Sequence, residues 1–166
     1  MPLLKHGEVI EDPWRRLADD EPLPGTDAVI VTLARWRADR ALAGRRGPLG
    51  LALKNSESAN ALGDDFGFFD LVALEFPKFT DGRAYTQARI LRERLGFRGE
   101  LRATGQVLLD QLLFMQRCGF DAFEIAKGEP VEAWRNAMNS FSVFYQPTGD
   151  GRRPATALRR PLGGGA

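Results

Sequence analysis

The run LVALEF, Leu71 to Phe76, followed by PKFTDGRAYTQARILRERLG, Pro77 to Gly96, decides the fold. The first part is apolar on both faces, with Glu75 its one charge. Such a strand belongs in a sheet covered on both sides, the usual setting of parallel strands. The second part carries the punctuation of a helix. Thr80 or Asp81 can cap it by accepting from backbone N–H groups that otherwise lack partners. Ala84, Ala88, Leu91 and Leu95 recur at helical spacing and form one apolar stripe, off which Arg89, Arg92 and Glu93 fall. Gly96 supplies a left-handed stop. A buried strand therefore hands over to a helix across a loop rich in Pro, Lys, Asp, Gly and Arg.

The alternation extends in both directions from this unit. AVIVTL (28–33) reads as a strand, followed by a helix over Ala34 to Ala43 that Gly44 and Gly47 stop. LGLALK (49–54) is a second strand, with a short helix from Ser56 to Leu62. ELRATG (100–105) is a fourth strand. VLLDQLLFMQRC (107–118) is a helix apolar nearly all round, expected to be buried, with Gly119 closing it. FDAFEI (120–125) is a fifth strand. Pro130 suits a first helical position, and Val131, Trp134, Ala137 or Met138, and Phe141 continue that helix's inner face. Strand–helix–strand units with short links imply parallel strands and right-handed crossovers. The expected fold is α/β with about five mostly parallel strands and flanking helices, as an open sheet or a partial (β/α) barrel. Before it, EVIEDPWRRL (8–17) reads as a short edge strand ending before Pro13, and ADDEPLPG (18–25) as an exposed loop. Residues 1–145 read as one α/β domain. After Tyr145 the chain turns to QPTGDGRRPATALRRPLGGGA, a Pro/Gly/Arg-rich stretch over 146–166 that reads as a mobile tail.

Composition narrows the functional classes. The chain has 166 residues, 43% hydrophobic and 27% charged, enough for one domain with a real core. A net charge of +1 argues against nucleic acid or an anionic membrane as partner. Arg152, Arg153, Arg159 and Arg160 are the one basic cluster that could touch an acidic partner or RNA, and they read more simply as a solvated tail. No apolar run approaches the roughly 18 residues of a membrane span, and the N-terminus does not read as a signal peptide. A single cysteine, Cys118, excludes an internal disulfide and suits a reducing cytoplasm. The motifs G-x-G-x-x-G, G-x-x-x-x-G-K-[ST] and G-x-S-x-G are missing. His6 is the sole histidine, which speaks against a zinc site or a Ser-His-Asp triad.

The candidate site follows from the fold class. Ligands of parallel α/β proteins gather at the carboxyl ends of the strands. Polar residues recur there: Lys54, Asn55 and Ser56 after the second strand; Glu75, Lys78, Asp81, Gly82 and Arg83 after the third; Thr104, Gly105 and Gln106 after the fourth; Glu124 and Lys127 after the fifth. Asp110 adds a carboxylate for proton transfer beside Glu75, Asp81 and Glu124. Gly82 would let the backbone turn tightly or approach a ligand. A purely structural reading stands beside this one: Asp81 as a helix cap, Lys78 and Arg83 as solvated charges, Glu75 paired with Lys54 or Arg102. Cys118, next to Arg117, is either a thiol activated by that guanidinium or a small buried hydrophobe. The GRRG of residues 44–47 is either a phosphate contact or a solvated helix end.

The stretch LVALEFPKFTDGRAYTQARILRERLGFRGELRATGQVLLDQLLFMQRCGFDAFE, Leu71 to Glu124, resembles a family of bacterial proteins described as oxidoreductases involved in sulfite reduction. FPKFTDGR and RCGFDAFE carry the likeness, and VTLARW and GPLGLALK are similar more weakly. Members of that family are encoded beside the haemoprotein subunit of sulfite or nitrite reductase and other genes of cysteine biosynthesis. The resemblance marks Glu75, Lys78, Asp81, Gly82, Arg83, Asp110, Gln111, Arg117 and Cys118 as candidates. Where the family often has Asp after the Gly of TG and Arg before the Asp of DQL, this chain has Gln106 and Leu109. No role that needs that carboxylate is carried over, and Asp110 remains. The resemblance implies an accessory component of assimilatory sulfite reduction, in sulfate assimilation, with the sulfite reductase haemoprotein or its electron donor as partner. The alternative is an oxidoreductase or other enzyme with an anion or small-molecule site at the strand ends, using a cofactor such as a flavin that leaves no short motif.

Overall fold

The computed structural model describes residues 2–126, 128–148 and 150–158. Its centre is one eight-stranded sheet. The strands are β1 (Leu3–Lys5), β2 (Glu8–Ile10), β3 (Arg15–Arg16), β4 (Val29–Thr32), β5 (Leu49–Leu53), β6 (Leu71–Phe76), β7 (Glu100–Gly105) and β8 (Ala122–Glu124). Their spatial order is β2-β1-β8-β7-β6-β5-β4-β3. Strands β3 to β8 are parallel and follow chain order, whereas β1 runs antiparallel to both β8 and β2. The five strands read from the alternation are β4 to β8, and EVIEDPWRRL does contain the edge strand β2. The count of about five is too low, because the first 16 residues hold two more pairing segments, β1 and β3. They are three and two residues long, too short to show a period.

Sequential parallel strands with right-handed crossovers place every connecting helix on one face. That convex face carries the main core: Val29 and Val31, Leu49, Leu51 and Leu53, Val72, Leu74 and Phe76, Leu101 and Ala103, and Phe123. Against it lie α1 (Leu33–Ala38), α2 (Arg83–Arg89), α3 (Leu112–Arg117) and α4 (Pro130–Asn139). Thr32 caps α1, its Oγ1 accepting from Arg35 N–H at 3.1 Å. Ala84, Ala88 and Leu91 are fully buried, as their stripe requires, and a π-helical turn (Ile90–Arg94) extends α2.

Three expectations for the helices need correction. Gly82 is the N-cap of α2, and the Asp81 carboxylate accepts from Arg83 N–H at 3.3 Å without being the cap residue itself. Arg92 does not fall outward. It donates to the carbonyls of Phe97, Gly99 and Gly119 and pairs with Asp121, tying the exit of this helix to the start of β8. The helix read over 107–118 is apolar without being fully buried: it is a 3₁₀ turn (Leu109–Gln111) followed by α3, with Leu112 and Met115 inside and Phe114 56% exposed.

Chain length imposes the curvature. β2 and β3 lie on opposite edges of the sheet, yet only residues 11–14 join them. Eight strands laid flat would put those edges about 34 Å apart at roughly 4.8 Å per strand, whereas Ile10 to Arg15 can reach at most about 18 Å. The sheet must therefore curl, and the result is an open half-barrel whose concave face is crossed by residues 11–14.

Residues 144–148 and 150–158 fold back on the domain. Phe144 bridges to Pro154, and Arg117 donates to Gln146 O at 2.7 Å and pairs with Asp150 at 3.1 Å. The part of the stretch from 159 to 166, including Arg159 and Arg160, lies outside the described residues.

Gly105, at the carboxyl end of β7, has φ +87, and a Cβ there would collide with the carbonyl oxygen of Phe76, which accepts from Gln106 N–H at 2.7 Å. Gly82 has φ −84, and a Cβ there would make only ordinary contact with the Tyr85 ring, so it does not use the freedom that a tight turn would demand of it. Gly105→Ala is expected to cost about 1–3 kcal/mol in urea unfolding and Gly82→Ala to stay within about 0.5 kcal/mol of the parent. Equal costs at the two positions would contradict this assignment.

Candidate functional site

Residues alternate across a strand, so the positions that avoid the convex core must face the hollow. These are Ile30 and Thr32 on β4, Gly50 and Ala52 on β5, Leu71, Ala73 and Glu75 on β6, Glu100, Arg102 and Thr104 on β7, and Ala122 and Glu124 on β8. The concave face therefore mixes small residues with charges.

Its amino-end half is filled. Trp14, from the crossing segment, packs on Ile30, Leu71 and Ala73. Arg102 is 0% exposed and donates twice to Asp12, at 2.7 and 3.1 Å, and to Glu100 at 2.9 Å. Lys5 covers the other oxygen of Glu100 at 2.7 Å. An ion buried this deeply is tolerated only because its donors have partners. The alternatives in which Glu75 pairs with Arg102 or Lys54 are not realised: Asp12 and Glu100 take that guanidinium, and Glu75 has no hydrogen bond or ion pair among the described residues.

The carboxyl-end half is open. It forms a pocket of about 350 Å³ with Ala52 and Ala73 as floor and Arg16, Asp19, Thr32, Lys54, Glu57, Glu75, Thr104 and Glu124 around it. Most of this polar lining is already engaged. Arg16 donates to Glu124 at 2.8 Å, Thr32 Oγ1 to Asp19 at 2.6 Å, and Lys54 N–H to Glu57 at 2.8 Å. The loops that supply it are clamped from behind. Buried Arg35 donates to Ala18 O and Glu21 O, both at 2.5 Å. Buried Gln87 donates from α2 to the carbonyls of Lys54 and Glu57.

Four carboxylates and two cations among these side chains make the pocket acidic, which disfavours a bare anion as ligand. Among the described residues no group of three His, Cys, Asp or Glu side chains is placed to hold a metal ion.

Of the residues expected at the strand ends, Lys54, Glu75, Thr104, Gly105 and Glu124 share this pocket. The others stand beside it. Asn55 donates to Asp81 at 2.6 Å, and Arg83 forks onto the same carboxylate at 2.7 and 3.0 Å. Gln106 accepts from Phe79 N–H at 3.2 Å, bracing the loop after β6. Lys78 and Asp110 are exposed, and Lys127 lies outside the described residues.

Arg16, Asp19, Thr32 and Glu57 were not singled out from the sequence. Thr32 shares the hollow-facing parity of Lys54 and Glu75, a signal that was present, whereas the two-residue pairing that delivers Arg16 has none. Arg117 serves the C-terminal segment and stacks its guanidinium 3.9 Å from the Phe144 ring. Cys118 is buried, and that burial pushes its thiol up to about 11, with Arg89 and then Arg117 opposing, which favours the reading as a small buried hydrophobe. Arg45 in GRRG donates to the carbonyls of Pro24 and Asp27, a structural use.

Fold and site together define an α/β half-barrel with a ligand-sized acidic pocket at the carboxyl ends of its parallel strands. Residues 50–156, more than half of the chain, match the model of a bacterial protein family of unknown function, DUF934, and the chain belongs to that family. The search of curated proteins finds no match. Among the described residues no helix is long and apolar enough to cross a membrane.

The Asp81 cluster gives a direct check on this geometry. Hydrogen bonds from the Arg83 side chain, helped by its backbone N–H and by Asn55, hold the Asp81 carboxyl down at about 2 against an ordinary 3.8. A depressed carboxyl stabilises the fold above its ordinary value, and that contribution is lost as pH falls through about 2. A carbon-detected titration should place Asp81 near 2, and Arg83→Ala should move it back towards 3.8. An unshifted Asp81 in the parent would contradict the cluster.

Proposed function

We propose that this protein is an accessory component of assimilatory sulfite reduction that docks onto the haemoprotein subunit of sulfite reductase or onto its electron donor. The observation that carries the docking is a set of exposed apolar side chains in the loops after β6 and β7 and on α3. Phe79 is 50% exposed in the loop after β6, Leu108 38% exposed after β7, and Phe114 56% exposed on α3. Gln106 and Gln111 reach the backbone of Phe79 from the neighbouring loop, and Tyr85 backs Phe114 with ring centroids 4.7 Å apart. Exposed aromatic and aliphatic groups, with Lys78 and Arg83 close by in the chain, have the composition of an interface core with a charged rim.

The choice of partner comes from the resemblance carried by Leu71–Glu124.

Purified chain immobilised on a resin should retain the sulfite reductase haemoprotein or its reductase partner. The Phe79→Ser, Phe114→Ser double variant should retain it about tenfold less or weaker still. No retention by the parent, together with unchanged sulfite turnover on its addition, would overturn the proposal.

A further inference from the structure

Most polar side chains lining the concave pocket have a hydrogen-bond partner, and two charged ones do not. Arg16 is spent on Glu124, Glu57 on the Lys54 backbone and Asp19 on Thr32. The Glu75 carboxylate and the Lys54 ammonium have no side-chain partner among the described residues. They are also neighbours. β5 and β6 are parallel and their pairing ends with Leu53 opposite Leu74, so Lys54 and Glu75 are the next residue of each chain segment. Both line the same pocket, over a floor of Ala52 and Ala73 whose short side chains leave the space empty. One negative and one positive group that line the same pocket without pairing to each other form a complementary template for a molecule that carries both charges.

We propose that this pocket binds a small zwitterion of the α-amino acid class, with the ligand ammonium on Glu75 and its carboxylate on Lys54. The acidic balance of the remaining lining favours a ligand that presents a cation deepest. Glu75 is partly buried and Lys54 exposed, so the ammonium enters first and the carboxylate stays at the mouth. A pocket of about 350 Å³ has room for a side chain beyond the charged head, and Thr32 and Thr104 lie within its wall. The inference rests on the pocket alone and is independent of docking through Phe79 and Phe114, so either can fail without the other.

The test is thermal unfolding of the full chain with a panel of α-amino acids, with methylammonium and acetate as single-charge controls. At least one amino acid should raise the melting temperature by about 5–10 °C at roughly a hundredfold excess over its Kd, with neither control doing so. Glu75→Gln and Lys54→Met should each abolish the rise. Should Glu75→Gln fail to fold, Lys54→Met at the exposed position carries the comparison, with titration calorimetry as second readout. The proposal is overturned if no amino acid acts beyond the controls, if the rise survives Lys54→Met, or if Lys54 and Glu75 prove coupled to each other without any ligand effect.

Discussion

Four residues between two edges of one sheet govern this molecule. Residues 11–14 must carry the chain from β2 to β3 across a distance that a flat eight-stranded sheet would make far too long. Curling is the only way to satisfy them. Once the sheet curls, its concave face becomes an interior, and the crossing segment lies over it. Arg102 then decides how the segment is held. It rises from the central strand β7 with no exposed surface, and Asp12 closes on it with two hydrogen bonds while Trp14 packs beside it. Leaving such a guanidinium unpaired would cost several kcal/mol, so the ion pair and the curvature support each other.

That arrangement divides the hollow into two unlike halves. At the amino ends of the strands, the charges of Arg102, Glu100, Asp12 and Lys5 are mutually satisfied and the space is filled. At the carboxyl ends, small side chains leave a cavity, and Glu75 and Lys54 line it without side-chain partners among the described residues. The same strands thus serve stability at one end and carry an unspent chemical capacity at the other. Helix α2 supports the carboxyl-end half, since Gln87, buried among its apolar residues, fixes the backbone of Lys54 and Glu57.

Much of this was legible in the residues. The five parallel strands, their order of appearance, the stripe of α2 and the gathering of Lys54, Glu75, Thr104 and Glu124 at one rim all follow from apolar periodicity and from the direction of parallel strands. The rest was not, for identifiable reasons. Strands of two or three residues such as β1 and β3 carry no period, so the eighth-strand count and the crossing segment stayed hidden. Asp12 and Arg102 stand 90 positions apart, and nothing local marks them as partners. Gly82 looked like the residue of a tight turn because it sits in a polar loop, whereas Gly105, at an ordinary strand end, takes the left-handed backbone. Arg92 looked like a solvated helix charge, although three carbonyls and Asp121 claim it.

The central claim is that Asp12 on the crossing segment and Arg102 on the central strand hold the half-barrel together. A double-mutant cycle in urea unfolding with Asp12→Asn and Arg102→Met measures it most directly. A coupling of about 1–3 kcal/mol between the two changes is expected for groups that share this contact. Additivity to within about 0.5 kcal/mol would mean that the segment does not rest on Arg102, and the described division of the hollow would fall with it.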